Sequence, residues 1–161
     1  MNLKKNIDLS HSTAIITGGA GLLGRTYTAT LLEAGAQVII IDKKVESKKI
    51  LKVIKNEYKL EQKKLKKLKV IECDITDPVQ VKNTFSKLNK SLKNLKIVVN
   101  NASLVKQVGK ENLVDSYKPF LQMKPKDWEE FFSVDLTGAL LIIQKAIPYM
   151  QKNGGGSIIN I

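Results

Sequence analysis

Short apolar runs alternate along the whole chain with longer segments whose apolar residues recur at helical spacing. Five of the runs have the length and branched apolar composition of buried strands, and they occupy residues 13–17, 37–41, 69–73, 95–99 and 157–161. Strands that alternate with helices predict a parallel sheet covered by helices. We therefore expect one α/β domain over residues 1–161, a doubly wound Rossmann-type sheet of five strands in the order 3-2-1-4-5.

Several helix boundaries are marked by their own residues. The helix after the first strand is expected to stop at Gly35, because glycine suits the left-handed position that follows a helix. Asp77 and Pro78 predict an N-cap and the first helical position of a later helix. The predicted buried stripe of that later helix is Val81, Phe85, Leu88 and Leu92.

A long helix is expected from Pro125 to about Met150, with Pro148 bending or ending it. Its predicted buried residues are Trp128, Phe131, Phe132, Leu140, Ile143 and Ile147. No period emerges in residues 103–124, and so long a stretch without one indicates a functional loop or an insertion.

Three spaced glycines, Gly18, Gly21 and Gly24, follow the first strand. Glycine accepts positive φ and lets backbone N–H groups approach a pyrophosphate closely, and the next helix directs its positive end at the same anion. Eighteen residues after Gly24, the second strand ends in Asp42, where a dinucleotide fold places the acid that binds the adenosine ribose. This order predicts a dinucleotide site, and a tight turn alone is the simpler alternative for the glycines.

The chain has 27 basic and 15 acidic residues, a net charge of +12. Arg25 is the single arginine, whereas proteins that bind phosphates and base edges draw on the planar fork of arginine. Residues 43–69 hold 12 lysines, with Ile50, Ile54 and Tyr58 recurring among them. We interpret these lysines as solvated helix faces and expect no specific nucleic-acid partner. A polyanion-binding surface protein is the alternative class that this charge leaves open.

The remaining composition points to a cytoplasmic protein. Cys73 is the single cysteine, so no internal disulfide can form, and a reducing compartment is expected. The longest apolar run, residues 139–143, is too short to span a bilayer, so no membrane partner is expected. His11 precedes the first strand without an accompanying cluster of acids or cysteines, so no metal site is expected.

Several of these motifs resemble those of the short-chain dehydrogenase/reductase family, over nearly the whole chain. Residues 17–24, TGGAGLLG, resemble its glycine loop in a spacing typical of the extended branch, which includes sugar-nucleotide epimerases. Residues 73–75, CDI, resemble its adenine-contacting segment, and residues 100–103, NNAS, resemble its NNAG motif. Residues 128–150 resemble the long helix of the single-domain branch, and residues 156–161 the strand before the catalytic serine, so the later motifs favour that branch.

The resemblance implies an NAD-dependent oxidoreductase that acts on an alcohol or carbonyl carbon, with a sugar derivative as one substrate class and a homo-oligomeric assembly. NAD is expected over NADP because Asp42 would repel a 2′-phosphate, although Lys43 or Lys44 has the reach to contact one. The cofactor-binding positions implied by the family motifs are Thr17, Gly18, Gly21, Leu22, Leu23, Gly24, Asp42, Lys43, Asp74, Ile75, Asn101 and Ala102. For Asn100, bracing of the sheet is favoured over a ligand contact.

Two departures from the family pattern bear on catalysis. Asp135 stands where the family's long helix carries an Asn of its proton relay, and a carboxylate cannot donate as an amide does. A surface helix residue without a role is the equal alternative for Asp135. The sequence has no Tyr followed four residues later by Lys, and the family's serine would lie beyond Ile161. The chain is therefore expected to be the cofactor-binding part without the C-terminal catalytic part, and a noncatalytic NAD-binding module is the alternative function.

Overall fold

The computed structural model describes residues 7–104 and 120–161, which form a parallel sheet in the order β3-β2-β1-β4-β5. Its strands are β1 (Thr13–Thr17), β2 (Gln37–Asp42), β3 (Leu68–Glu72), β4 (Leu95–Asn100) and β5 (Ser157–Asn160). Its α-helices are α1 (Leu22–Glu33), α2 (Ser47–Tyr58), α3 (Gln62–Leu65), α4 (Pro78–Leu88), α5 (Pro125–Phe132) and α6 (Ala139–Lys152). The predicted fold class and strand order are confirmed, and β3 begins and ends one residue earlier than expected.

The central strands are buried on both faces, so successive residues enter two different cores. On β1, Ile15 lies in the core that α4 and α6 cover, whereas Ile16 lies in the core that α1, α2 and α3 cover. The same division separates Ile39 from Ile40 on β2. Each of these side chains is fully buried, which explains why the strands appear in the sequence as continuous apolar runs.

The predicted helix ends are present in the structure. Asp77 caps α4 by accepting hydrogen bonds from the N–H groups of Val79 and Gln80 at 2.8 and 3.1 Å, with Pro78 in the first turn. Gly35 follows α1 with a φ of +96°, a left-handed conformation that glycine adopts without the steric cost of a side chain. All four residues of the predicted α4 stripe are buried, with Leu92 in a 3₁₀ turn that continues the helix.

The long helical segment contradicts one expectation and excludes one of the two alternatives for Pro148. It packs on the sheet through Ile142, Ala146 and Met150, whereas most of the predicted buried side chains are substantially exposed, namely Trp128, Phe132, Leu140 and Ile147. This segment is apolar on more than one side, so hydrophobic spacing could not determine which side meets the sheet. Pro148 lies inside α6, which continues to Lys152, so proline does not end the helix.

A π-helical turn, Ser133–Gly138, joins α5 to α6. The continuous helical segment 125–152 is long and apolar enough to cross a membrane by length and composition alone. Its Ile142, Ala146 and Met150 instead belong to the same core as Ile15 of β1, as in a helix that covers a sheet.

The lysine-rich segment after β2 forms α2 and α3. Ile54 is fully buried, and Ile50 and Tyr58 pack partly buried against the same core. The lysines of α2 are exposed at Lys48, Lys49, Lys52 and Lys55, as the sequence predicts. For Asp115 and Tyr117, in the segment without a period, the sequence favours turn or surface roles over contact with a substrate, and both lie outside the described residues.

We expect the chain Met1–Ile161 to self-associate in solution. Trp128, Phe132, Leu136 and Leu140 expose 51%, 40%, 58% and 51% of their surface on one helical segment. Exposed apolar surface of this extent drives association. Light scattering should therefore give a mass above that of one chain, and Leu136→Lys with Leu140→Glu should lower it.

Ile7→Lys is the matched control, because Ile7 is 52% exposed, close to the 51% of Trp128, and lies before β1, far from this segment in sequence. It should leave the mass unchanged. A monodisperse single chain in the unmodified protein would contradict the expectation.

Candidate functional site

The carboxyl ends of the parallel strands meet along one edge of the sheet, and the glycine loop lies there. Residues 18–21 connect the end of β1 to the start of α1. The loop is tied to the sheet because the Gly18 N–H donates to the Ile41 carbonyl of β2 at 2.9 Å. Ligands of open α/β sheets bind at this edge.

The glycines are required by space and conformation. Gly18 has a φ of +62°, and a Cβ there would lie 2.8 Å from Ala102 Cα. A Cβ at Gly24 would overlap the Gly18 carbonyl oxygen and lie 2.6 Å from Gly19 Cα. A Cβ at Gly21 would meet only the Gly18 carbonyl oxygen, at 3.2 Å. The first and third glycines therefore permit close packing of the loop, and the second faces more open space.

The N-terminus of α1 is available to an anion. Gly21 is its N-cap and supplies no side-chain hydrogen bond, and the first N–H groups of a helix have no carbonyl partner within the helix. Leu22 and Leu23 expose 73% and 53% of their surface beside this terminus. The structure thus places N–H donors and apolar side chains together next to the loop.

Asp42 ends β2 against the glycine loop. Its Oδ2 accepts the Ala20 N–H at 3.0 Å, and its Oδ1 accepts the Lys43 N–H at 2.8 Å. Each carboxylate oxygen has a second lone pair available for a further donor. The acid that the sequence predicts for the ribose is therefore joined directly to the loop predicted for the pyrophosphate.

Asp74 lies across the same edge and is held by several donors. Its Oδ1 accepts the N–H and hydroxyl of Thr76 at 3.0 and 2.8 Å, and its Oδ2 forms an ion pair with Lys43 Nζ at 2.7 Å. Burial opposes ionisation of Asp74, but the Lys43 ammonium and the Thr76 donors outweigh it and hold the pKa below its ordinary value. Lys43 therefore reaches toward Asp74.

Thr17 and Asn101 bind β1 to the end of β4. The Thr17 hydroxyl accepts the N–H groups of Asn101 and Ala102, both at 3.1 Å. The Asn101 side-chain amide donates to the Thr17 and Gly18 carbonyls, also at 3.1 Å. These two predicted cofactor residues thus hold the loop in place. Asn100 donates to Asn160 of β5 at 2.9 Å, which is the bracing role that the sequence favours for it.

Two further predicted residues occupy contrasting positions. Ile75 is buried, and its side chain lies where a Cβ on Gly138 would reach, so its backbone is the part left for a ligand. Asp135, in the π-helical turn, accepts the Ser103 hydroxyl at 3.2 Å and the Leu104 N–H at 3.3 Å. The two residues that depart from the family motifs, Ser103 and Asp135, therefore contact each other.

The sequence interpretation missed two residues that support the loop, Arg25 and Glu57. Ala20 accepts a hydrogen bond on its carbonyl from Arg25 Nη1 at 2.9 Å, and Arg25 in turn pairs with Glu57 of α2. The sequence signal for Arg25 was its position: the chain's single arginine stands directly after Gly24.

Comparison with known proteins identifies the class to which this fold and edge belong. The family model described as short chain dehydrogenase matches residues 12–161. The chain therefore belongs to the short-chain dehydrogenase/reductase family.

Curated relatives and solved structures agree with this assignment. The short chain dehydrogenase/reductase dpfgG of Gibberella zeae is 32% identical over 155 residues, which are 95% of this chain and 52% of that protein. The 15-hydroxyprostaglandin dehydrogenase of Rattus norvegicus, whose name specifies NAD(+), is 30% identical over 92% of this chain and 48% of its own. A short-chain type dehydrogenase/reductase from Mycobacterium marinum superposes with a TM-score of 0.74 at 29% identity, over 98% of this chain and 58% of its own. The chain spans about half the length of these relatives.

Substitution of Gly24 by valine should abolish NADH binding, because its Cβ would displace the backbone of residues 18 and 19. Gly21→Ala tests the site with less risk to the fold, since Gly21 has the extended φ of −70° and ψ of 175°. We expect Gly21→Ala to keep its melting temperature within a few degrees and to bind NADH about tenfold more weakly.

NADH fluorescence titration and far-UV circular dichroism measure these two properties. Gly154→Ala is the control for lost stability without a change at the site: a Cβ there meets no atom within 4 Å, but the φ of +76° disfavours alanine. Because this turn lies before β5, away from the loop, the variant should lower the melting temperature and leave the NADH affinity unchanged. Unchanged NADH affinity in folded Gly24→Val would mean that the glycines only shape a turn.

Acid should remove a part of the stability that depends on Asp74. Its folded pKa is held below the ordinary value of 3.8, so its stabilising contribution is present above that value and is lost as pH falls through the folded pKa. In melting curves between pH 2 and 6, Asp74→Asn should show a shallower loss of stability below about pH 4 than the unmodified chain. Lys43→Met removes one partner of Asp74 and leaves Thr76, so its loss of stability below about pH 4 should be intermediate between those of Asp74→Asn and the unmodified chain. Parallel curves for all three proteins would contradict this assignment.

Proposed function

We propose that the chain carries the NAD-binding part of an oxidoreductase that transfers hydride between nicotinamide and an alcohol or carbonyl carbon. One observation carries the proposal: the Asp42 carboxylate accepts the Ala20 N–H at 3.0 Å. This contact joins the acid expected to bind the ribose to the loop expected to bind the pyrophosphate. Both sit at the carboxyl edge of a Rossmann-type sheet.

The residues present fit a dinucleotide. Gly21, which is less crowded than Gly18 and Gly24, and the uncapped N-terminus of α1 suit a pyrophosphate. Asp42 would hold the adenosine ribose, and the segment at Asp74 and Ile75 would hold the adenine. Leu22 and Leu23, both more than half exposed, would cover apolar parts of the cofactor.

The acid and its neighbours favour NAD over NADP. A 2′-phosphate at Asp42 would place like charges together, which costs several kcal/mol. Lys43, the nearest cation in sequence, is paired with Asp74 at 2.7 Å and is therefore drawn away from such a phosphate. The rat relative whose name specifies NAD(+) supports the same choice.

The bound cofactor would supply the hydride acceptor or donor, and the protein would orient it and manage protons. In this chain, Asp135 is an acceptor that holds Ser103 and Leu104, and no Tyr is followed four residues later by Lys. We therefore propose that the site residues described above bind the cofactor. For the whole enzyme, the proposed substrate class is a small alcohol or carbonyl compound. The proposed assembly is a homo-oligomer, and the proposed location is the cytoplasm.

The chain Met1–Ile161 should bind NADH at least roughly a hundredfold more tightly than NADPH, because of the charge at Asp42. Asp42→Ala should narrow this ratio to within about tenfold by weakening NADH and relieving NADPH. Paired fluorescence titrations at one ionic strength measure the ratio. The same samples should not oxidise NADH with a panel of ketones and aldehydes, because the family's Tyr–Lys pair is missing from this sequence.

Glu72→Gln is the matched control, since Glu72 is the register partner of Asp42 on β3 and is exposed. It removes one carboxylate from the neighbouring strand end and should leave the NADH to NADPH ratio nearly unchanged. NADPH binding as tight as NADH binding would refute the assignment of NAD.

A further inference from the structure

Ala20 is held on both of its backbone polar groups by side chains. Its N–H donates to Asp42 Oδ2 at 3.0 Å, and its carbonyl accepts from Arg25 Nη1 at 2.9 Å. Ala20 lies within the glycine loop, between the two glycines Gly18 and Gly21. A single residue of the loop is therefore fixed from the β2 side and from the α1 side.

Arg25 is itself held by a second helix. Glu57, in the last turn of α2, accepts from Arg25 Nε at 2.9 Å and from Nη2 at 3.2 Å. The arginine side chain is 19% exposed and the glutamate side chain 42%. Two parallel bonds to one carboxylate fix the plane of a guanidinium, and its third nitrogen is then aimed at one place. Here that nitrogen is Nη1 and its target is the Ala20 carbonyl.

We propose that Glu57 and Arg25 are positioning residues that hold the glycine loop in the shape that binds the cofactor pyrophosphate. The proposal rests on the NAD-binding function proposed above. Glu57 orients Arg25, Arg25 fixes the Ala20 carbonyl, and the peptide units around Ala20 then present the loop to the ligand. Neither side chain needs to touch the cofactor.

The identity of residue 25 agrees with this role. A cation in the first turn of a helix opposes the helix dipole, so helix stability does not explain Arg25. It is also the single arginine among 27 basic residues. Lysine lacks the planar fork that can bind a carboxylate twice and still donate to a carbonyl.

A second ion pair in the same layer provides a matched control. Lys64 Nζ of α3 lies 2.6 Å from Glu33 Oε2 at the far end of α1, with side chains 23% and 29% exposed. It joins α1 to the lysine-rich segment as the Arg25–Glu57 pair does. It does so at the opposite end of α1 from the glycine loop.

The test is the NADH affinity of Glu57→Gln and Glu33→Gln in the chain Met1–Ile161. If Glu57 acted only through its charge, its removal near an anion site would tighten NADH binding. A positioning role gives the opposite sign, and we expect Glu57→Gln to bind NADH about fivefold more weakly. Glu33→Gln should remain within about twofold of the unmodified chain.

A reversed pair separates loop positioning from general stability. In the double variant Arg25→Glu with Glu57→Arg, an ion pair can form again, but a glutamate at position 25 has no donor for the Ala20 carbonyl. Its melting temperature should recover most of the loss seen in Arg25→Glu alone, while its NADH affinity stays at the lower value. Recovery of both properties together would overturn the positioning role.

The outcomes also distinguish this inference from the function on which it rests. An unmodified chain that does not bind NADH would refute the proposed function. An unmodified chain that binds NADH, with Glu57→Gln equal to or tighter than Glu33→Gln, would overturn the positioning role and leave the function standing. NADH binding that is weaker in Glu57→Gln but not in Glu33→Gln supports both the positioning role and the proposed function.

Discussion

Close backbone packing at the end of β1 is the constraint on which the rest of the structure depends. The chain leaves β1 at Gly18, turns, and starts α1 so near the turn that Gly24 has no space for a Cβ. The end of β4 approaches from the other side and leaves no space at Gly18. Because α1 begins this close to the sheet, its N-terminal N–H groups lie at the carboxyl edge, where a ligand can reach them.

The polar groups at this edge mostly hold each other. Thr17 and Asn101 use their side chains to join the ends of β1 and β4. Asp42 accepts two backbone N–H groups, and Asp74 is held by Thr76 and Lys43. Carboxylates held in this way are oriented before any ligand arrives, which reduces the entropy lost on binding. The acids stand at this edge although the chain as a whole is strongly basic. The lysines of α2, by contrast, lie in solvent.

The sequence was sufficient to predict the sheet and the meeting of the candidate site residues at its carboxyl edge, because both depend on local patterns. Apolar runs buried on two faces marked the strands, and the spacing of Gly18, Gly24 and Asp42 marked the edge where they meet. The orientation of α6 was not predictable in this way. Its residues are apolar on several sides, and only the shape of the sheet selects Ile142, Ala146 and Met150 as the contact.

The support for the glycine loop was only partly accessible from the sequence. The position of the single arginine after Gly24 marks Arg25, but its target is a backbone carbonyl, which every residue type offers, so the sequence does not identify the contact. Glu57 lies 32 residues further along the chain, in a segment whose lysines suggested only a solvated surface. The contact between Ser103 and Asp135 similarly depends on the π-helical turn, which hydrophobic periodicity does not predict.

The tight contacts of the glycines mean that the chain segments meeting at this edge have to be inherited together. A Cβ on Gly19 would lie 2.7 Å from Ile40, one on Gly18 would meet Ala102, and one on Gly138 would meet Ile75. The partners come from separate stretches of the chain, so each glycine is matched to a residue far from it in sequence. A chimera that takes only the loop and α1 from a homologue would combine surfaces shaped for different neighbours. Exchange between members of the family should therefore succeed when these paired segments are transferred together.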